Sequence, residues 1–226
     1  MKNYETDNGG INLREAVIKK ILEKKVIANI RGVYGQTCLN LASALRRGGI
    51  ELISIAFDPK DTQQNLRAHE TLSFLVRQLG YTVTFGVSNL TNLKMVESVK
   101  NAGAAFVISP DANDAMIMAT TDAGMVSIAG ARTPKEVIYA HNCGADFVNV
   151  FPVRSMEPAD FVNIDNVINH IPILAFGGIN QYNVKQYMRA GVAGVCVDDC
   201  FYSVEQIANG EWEQIASQVV SFVQTI

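Results

Sequence analysis

The sequence lacks the features that would place it in a membrane or on nucleic acid. No stretch approaches the ~20 uninterrupted apolar residues that a membrane-spanning helix needs. A net charge of -3 provides no basic surface for nucleic acid and no polybasic anchor for an anionic membrane. We therefore expect no nucleic-acid partner and no membrane partner. Residues 1–10, MKNYETDNGG, lack an apolar segment, so we also expect no signal peptide.

Cysteine and histidine are too few and too scattered to indicate a metal or redox centre. No Cys-x-x-Cys pair occurs among the four cysteines, which are Cys38, Cys143, Cys196 and Cys200. Three of them lie in apolar segments, which predicts buried, reduced thiols in a cytoplasmic protein. Cys200 follows a predicted strand, but the two aspartates before it disfavour a thiolate and no histidine partners it. The three histidines share no metal-ligand spacing, so we expect no metal ligand set and no bound cofactor.

The chain does contain a regular alternation of short apolar segments with amphipathic ones. Hydrophobic residues make up 48% of the sequence and charged residues 18%, which suits a large core. Short, nearly continuous apolar strands between helices are typical of a parallel sheet covered by helices. The predicted strands are 26–32, 51–57, 82–87, 105–109, 125–130, 146–151, 172–178 and 194–199. The predicted helices that follow them are 36–49, 61–80, 90–102, 112–124, 133–143, 158–170, 181–191 and 203–225.

Eight strand-plus-helix units in 226 residues predict an α/β fold, a closed (β/α)₈ TIM barrel formed by residues 13–226 as a single domain. Segment 13–25 predicts an additional N-terminal helix that covers the bottom of the barrel, and residues 1–12 are predicted to be a flexible N-terminus. The alternative is an open doubly wound sheet. No strand is followed by the G-x-G-x-x-G motif that commonly accompanies that alternative.

In a barrel of this kind, chemistry lies at the C-terminal ends of the strands and in the loops that follow. Gly177 and Gly178 follow the seventh strand, where glycine either exposes backbone N–H groups to a phosphate or simply permits a tight turn. The eighth loop carries Asp198 and Asp199, whose charges would repel a phosphate dianion. Arg31 ends the first strand and is either a clamp for an anionic ligand or the partner of a carboxylate such as Asp58.

Two further groups of charged residues could carry chemistry. Asp58, Lys60 and Asp61 are similar to an Asp-Lys-Asp relay of the decarboxylase type, but the spacing is shorter than Asp-x-Lys-x-x-Asp. The proline between the first two favours a solvated turn instead. Asp58, Asp198 and Asp199 would form a Mg²⁺ site if the fold brought them together.

Segments along nearly the whole chain, from about residue 13 to 226, resemble the KHG/KDPG aldolase family. They are VIANIRG (26–32), GGIELISIAF (48–57), NAGAAFVISPDAN (101–113), AGARTPKEV (129–137), VNVFPVR (148–154) and FGGINQYN (176–183). The resemblance implies a homotrimer of TIM barrels. It also implies a class I aldolase activity that cleaves 2-keto-4-hydroxy acids to pyruvate and an aldehyde, with Arg31 at the position of a substrate-binding arginine.

Departures from the family pattern fall almost entirely on functional positions. Asn149 stands where the resemblance places the Schiff-base lysine, and Ser54 stands where it places the glutamate that moves protons. Asp199 and Cys200 replace a phosphate-binding Gly-Ser, and Phe176 replaces a threonine. An amide nitrogen cannot attack a ketone because its lone pair is delocalised, and a serine hydroxyl is a poor proton shuttle. The degenerate positions Asn149 and Ser54 therefore leave no catalytic residue that we can assign.

Two functions follow from this combination of resemblance and departure. In the first, the protein forms no Schiff base and binds a small polar metabolite, a keto acid or sugar acid, at the barrel mouth. The candidate ligand-binding residues are Arg31, Asn149, Gly177, Gly178, Asp199 and Cys200. In the second, it is an active lyase or isomerase on a keto acid or sugar that uses a repositioned lysine, such as Lys60, or a metal.

Overall fold

The fold is a closed barrel of eight parallel strands, as the alternation predicts. The computed structural model describes residues 12–159, 161 and 170–226, so the predicted flexible N-terminus lies outside the described residues except for Asn12. Consecutive strands pair in parallel, and the eighth closes the ring against the first. The strands are β1 Val26–Ile30, β2 Leu52–Ala56, β3 Thr84–Ser88, β4 Phe106–Ser109, β5 Val126–Ala131, β6 Phe147–Val150, β7 Ile173–Phe176 and β8 Gly194–Val197. The predicted (β/α)₈ barrel is confirmed.

Helices cover the barrel with one clear difference from the prediction. They are α1 Leu13–Lys24, α2 Gly35–Arg47, α3 Thr62–Leu79, α4 Val96–Asn101, α5 Asp114–Asp122, α6 Pro134–Asn142, α7 Val184–Arg189, α8 Val204–Asn209 and α9 Trp212–Val223. The single helix predicted over 203–225 is wrong, because Gly210 adopts a left-handed φ of 70° and ends α8. The helix predicted over 158–170 lies largely outside the described residues. No helix in the described part of the chain is long and apolar enough to cross a membrane.

Apolar side chains form two layers because residues along each strand alternate between the two faces. Leu52 and Phe147 face the barrel interior, whereas their neighbours Ile53 and Val148 belong to the layer between the strands and the helices. Within the interior, the ring of Phe106 fills the space beside Gly86, where an added Cβ would lie 2.3 Å from the ring. The barrel is therefore a packed core rather than a pore.

Helix α1 closes the N-terminal end of the barrel, as predicted. Val17 and Ile21 are 5% and 1% exposed and pack with the interior residues. Arg14 holds the helix in place through a two-pronged ion pair, in which Nε and Nη2 donate to the carboxylate of Asp146 at 3.1 and 2.7 Å. Since this end is closed, the C-terminal ends of the strands form the open mouth.

Candidate functional site

The barrel interior becomes polar towards the mouth. Four inward side chains in this region are polar and at most 1% exposed: Asn29, Ser54, Ser88 and Asn149. Burying a polar group costs free energy unless the group is hydrogen-bonded. The partners of these four side chains therefore show how the centre of the barrel is built.

Asn29 is the centre of a hydrogen-bonded network that links four strands. Its Oδ1 accepts from Ser54 Oγ on β2 at 2.8 Å and from Ser88 Oγ on β3 at 2.6 Å. Its Nδ2 donates to Oδ1 of Asp198, directly after β8, at 2.6 Å. Because two hydroxyl donors require an acceptor and the carboxylate requires a donor, the Asn29 amide has one satisfactory orientation. The Ser54 hydroxyl is thus committed to holding Asn29, which in turn holds the Asp198 carboxylate.

Asn149 lies in a different environment. In the sheet it is flanked by Gly130 of β5 and Leu174 of β7. Its Oδ1 is buried and has no hydrogen-bond partner among the described residues. Phe151 directly follows β6 and Phe176 ends β7, and the centroids of their rings lie 5.2 Å apart. The position expected to hold a lysine is therefore a buried amide, one layer below an aromatic pair.

Arg31 is held at the mouth by an asparagine rather than by an acid. Asn89 follows β3 in the left-handed region, at a φ of 58°. We assign its amide with the oxygen towards Arg31, since Oδ1 then accepts from Nη1 and Nη2 at 3.1 and 2.9 Å. The described ion pairs do not include the alternative salt bridge between Arg31 and Asp58, and Asp58 Oδ1 accepts from the backbone N–H of Lys60 at 2.9 Å. The hydrogen-bond partner that orients Arg31 is therefore neutral.

Gly177 and Gly178 make a tight turn against the loop that follows β6. Both have positive φ, of 81° and 117°. A Cβ on Gly177 would lie 2.6 Å from the Phe151 ring, and a Cβ on Gly178 would lie 2.6 Å from Cβ of Arg154. The Arg154 N–H also donates to the Gly177 carbonyl at 2.9 Å. The glycines therefore permit the close approach that places Arg154 at the mouth.

A cavity of about 820 Å³ opens between the loops after β1 and β8. This volume is within the usual range for small-molecule sites. Its polar lining consists of Asn29, Arg31, Thr37, Arg154 and Asp198, together with the backbone at Gly32. The apolar part of the lining, which we call the apolar wall, consists of Val33, Tyr34, Tyr202, Val204 and Ile207. Burial raises the pKa of Tyr34, so its hydroxyl stays protonated and donates to Gln64 Oε1 at 3.2 Å.

The structure separates the remaining ligand-binding candidates from this cavity. Of the six, Arg31 lines it, whereas Asn149, Gly177, Gly178 and Cys200 do not. Cys200 is exposed and lines a smaller cavity of about 190 Å³ beside the loop after β7. Asp199 begins a short 3₁₀ helix, Asp199–Phe201, but its side chain lies outside the described residues.

Asp58, Lys60 and Asp61 lie in the loop after β2, where the two aspartates have structural roles. Lys60 is exposed in the turn that Asp58 stabilises. Asp61 caps α3 and accepts from the N–H groups of Gln63 and Gln64, which lower its pKa. Among the described residues no three His, Cys, Asp or Glu side chains lie close enough to hold a metal ion, although the Asp199 side chain is not included in that set.

A second cavity, of about 630 Å³, lies beyond β4 and β5. Its lining includes Arg132, Lys135 and Glu136 at the start of α6, with the exposed rings of Tyr139 and Phe151. The Glu136 carboxylate is already hydrogen-bonded, since its Oε2 accepts from the N–H groups of Arg132 and Thr133 at 2.8 and 2.9 Å. Lys135 is the one lysine that lines either of these two cavities within the described residues.

Sequence reasoning did not identify Asn29 or Asn89 as site residues. Asn29 is visible in the sequence as a single polar residue within an apolar strand, two positions before Arg31. That position places both side chains on the inward face. Asn89 carries no comparable signal, because its role depends on the left-handed turn after β3.

Comparison with known proteins agrees with this architecture. A family model described as "KDPG and KHG aldolase" matches residues 17–218 of this chain. The chain belongs to the KDPG and KHG aldolase family. A probable 2-dehydro-3-deoxy-6-phosphogalactonate aldolase of Rhizobium meliloti is 25% identical over 182 residues, which are 80% of this chain and 83% of the relative.

Two solved structures show the same fold as this family member. A KDPG aldolase from Legionella pneumophila, with pyruvate captured as a covalent carbinolamine intermediate, superposes with a TM-score of 0.79 at 22% identity. The match covers 90% of this chain and 96% of that one. A cube-shaped protein cage designed by fusing symmetric oligomeric domains gives a TM-score of 0.78 at 22% identity, over 89% of this chain and 71% of that one.

Proposed function

We propose that this member of the aldolase family binds a small carboxylate metabolite, of the keto-acid or sugar-acid class, and forms no Schiff base with it. The observation that carries the proposal is Asn149, at the β6 position where the family resemblance places the lysine. Its amide nitrogen has no available lone pair with which to attack a ketone. Among the described residues, no lysine lines the 820 Å³ cavity, so none is placed there to replace the missing amine.

The proton-transfer position supports the same proposal. Ser54 is fully buried, and its hydroxyl donates to Asn29. A serine hydroxyl in this role stabilises a hydrogen-bonded network and takes no proton from a substrate carbon at neutral pH. Loss of both the amine and the carboxylate removes the nucleophile and the base of imine chemistry together.

Binding capacity remains because the cations at the mouth remain. Arg31 and Arg154 line the cavity, and a guanidinium recognises a carboxylate through paired, charge-assisted hydrogen bonds. Asn89 orients Arg31 without neutralising it. The Legionella relative holds pyruvate covalently, whereas the same acid would be held here by charge and hydrogen bonds alone.

Calorimetric titration with pyruvate and with gluconate tests the proposal. We expect saturable binding of at least one acid, and Arg31→Gln should weaken it by about tenfold or more, because a hydrogen bond to a charged group contributes about 1.5–3 kcal/mol. Arg77→Gln is the matched control, since Arg77 is exposed in the last turn of α3, at the opposite end of the barrel. Absence of binding by both acids, or equal weakening by both variants, would contradict the proposal.

We further propose that the protein is a homotrimer in the cytoplasm. Exposed apolar side chains on α5 and α6 support an assembly: Met118, Ile138 and Tyr139 are 58%, 40% and 47% exposed. The designed cage of similar fold is described as built from symmetric oligomeric domains. None of the four cysteines forms a disulfide in the described structure, and burial raises the pKa of Cys38 to about 12, which keeps that thiol unreactive and suits a reducing compartment.

A further inference from the structure

The 820 Å³ cavity contains more than an acid-binding arginine. Its lining includes the apolar wall, of which Val204 is 86% exposed and the other members are half-buried. Val33, Tyr34, Tyr202 and Ile207 also pack against the main apolar cluster, so the wall is backed by the core. A wall of this kind gains free energy by covering an apolar or aromatic group, at roughly 25 cal/mol per Å² of apolar surface removed from water.

The Asp198 carboxylate disfavours a phosphate in the part of the cavity that it lines. Asp198 lines the cavity and is held there by the Asn29 amide at 2.6 Å. The amide is itself locked by Ser54 and Ser88, so the carboxylate is fixed in position. A fixed negative charge repels a phosphate dianion and accepts a hydrogen bond from a hydroxyl group of a ligand. A keto oxygen has no proton to donate to it.

We propose that the cavity binds an unphosphorylated 2-hydroxy acid with an apolar or aromatic tail. The carboxylate pairs with Arg31 and Arg154, the hydroxyl group donates to Asp198, and the tail lies on the apolar wall. This inference rests on the proposed function, since it uses the same arginines, but it commits to the oxidation state and the tail of the ligand.

Titration with four acids that share a three-carbon backbone tests each part of the assignment. The probes are lactate, 3-phenyllactate, phenylpyruvate and 3-phosphoglycerate. We expect 3-phenyllactate to bind at least about tenfold more tightly than lactate, because the ring is buried on the wall. It should also bind more tightly than phenylpyruvate, which lacks the hydroxyl donor, and 3-phosphoglycerate should bind no more tightly than lactate.

Two variants test whether the apolar wall causes the tighter binding of 3-phenyllactate. Val204→Asp should abolish the advantage of 3-phenyllactate over lactate, and the high exposure of Val204 means that the fold tolerates the change. Leu22→Asp is the control, because Leu22 is 43% exposed on α1 at the closed end of the barrel. Equal binding of lactate and 3-phenyllactate, or tightest binding of 3-phosphoglycerate, overturns the assignment of the apolar tail. Equal binding of phenylpyruvate and 3-phenyllactate overturns the role of the hydroxyl group. Arg31-dependent binding of pyruvate or gluconate in those cases leaves the proposed function standing. Failure of every acid to bind contradicts both.

Discussion

Two asparagines, both 1% exposed, lie at the centre of the barrel with opposite degrees of hydrogen bonding. Asn29 makes three hydrogen bonds, to Ser54, Ser88 and Asp198. Asn149 has a buried Oδ1 without a partner among the described residues. An unsatisfied buried polar atom costs about 1–3 kcal/mol of stability, whereas a satisfied one contributes to it. Asn29 therefore stabilises the folded protein, whereas Asn149 destabilises it.

Replacing each asparagine by leucine, which has the same branching at Cγ but no polar atoms, measures this difference. Asn149→Leu should raise the free energy of unfolding by about 1–2 kcal/mol, because it removes an unpaired acceptor. Asn29→Leu should lower it by at least about 2 kcal/mol, because two hydroxyls and a carboxylate lose their partner. Urea denaturation of both variants is the measurement. A comparable loss of stability in Asn149→Leu would show that its oxygen is hydrogen-bonded in solution.

How far the site could be predicted from the sequence depends on whether a residue's role is local. The position of Arg31 after β1 follows from strand periodicity, which is a local signal, and in the structure Arg31 lines the cavity. The roles of Asn29 and Asn89 depend on which side chains from β2, β3 and β8 meet them, and that is set by barrel closure and register. Gly177 and Gly178 were correctly located, but their contact with Arg154 required the conformation of the neighbouring loop.

At the scale of elements, helix α1 determines which end of the barrel is open. Its apolar residues fill the N-terminal end, and Arg14 fixes its position on the barrel through Asp146, whose side chain is 9% exposed. Asp146 Oδ2 also accepts from the backbone N–H of Ser127 at 2.9 Å. The ion pair therefore joins α1 to β5 and to the start of β6, so its removal weakens the attachment of a whole element.

Arg14→Ala should lower the free energy of unfolding by about 1.5–3 kcal/mol, the usual value of a hydrogen-bonded charged group in partly buried surroundings. Lys19→Ala is the control on the same helix. Its ion pair with Glu23 is 3.8 Å long and exposed, so its loss should cost at most about 0.5 kcal/mol. Equal stabilities of the two variants would show that α1 is held by apolar packing alone.

Strands and helices were predicted better from the sequence than the contacts of the site residues, for a physical reason. Each strand is a short apolar run bounded by loop residues, and each signal lies within a few residues of sequence. The one clear error, the helix over 203–225, arose because a single glycine within an amphipathic pattern is tolerated in many helices. At Gly210 the chain instead turns through the left-handed region, and Glu211 and Trp212 begin a separate helix.

At the scale of the molecule, one closed end and one open end leave the outer helices free for assembly. The exposed apolar residues of α5 and α6 lie near the second cavity, which Tyr139 and Phe151 also line. An interface at this face would bury side chains that are otherwise in contact with water. The proposed homotrimer uses this face.

Light scattering at micromolar concentrations should give the mass of a trimer for the unmodified protein. Met118→Glu should shift the population towards monomers, because it places a charge in the proposed interface. Leu66→Glu is the matched control: Leu66 is 54% exposed, against 58% for Met118, but lies on α3. A monomer mass for the unmodified protein would contradict the proposed assembly, and equal effects of the two variants would contradict the proposed face.

The central claim is that this aldolase-family barrel binds organic acids without forming an imine. Borohydride reduction in the presence of pyruvate, followed by intact-mass measurement and peptide mapping, tests it most directly, because a Schiff base is trapped as a stable secondary amine on the lysine that formed it. We predict the unmodified mass, and the same result for Lys60→Ala and Lys135→Ala, since Asn149 occupies the β6 position and Lys60 is exposed in a turn. A stoichiometric pyruvate adduct on any lysine, lost when that lysine is replaced, would contradict the account.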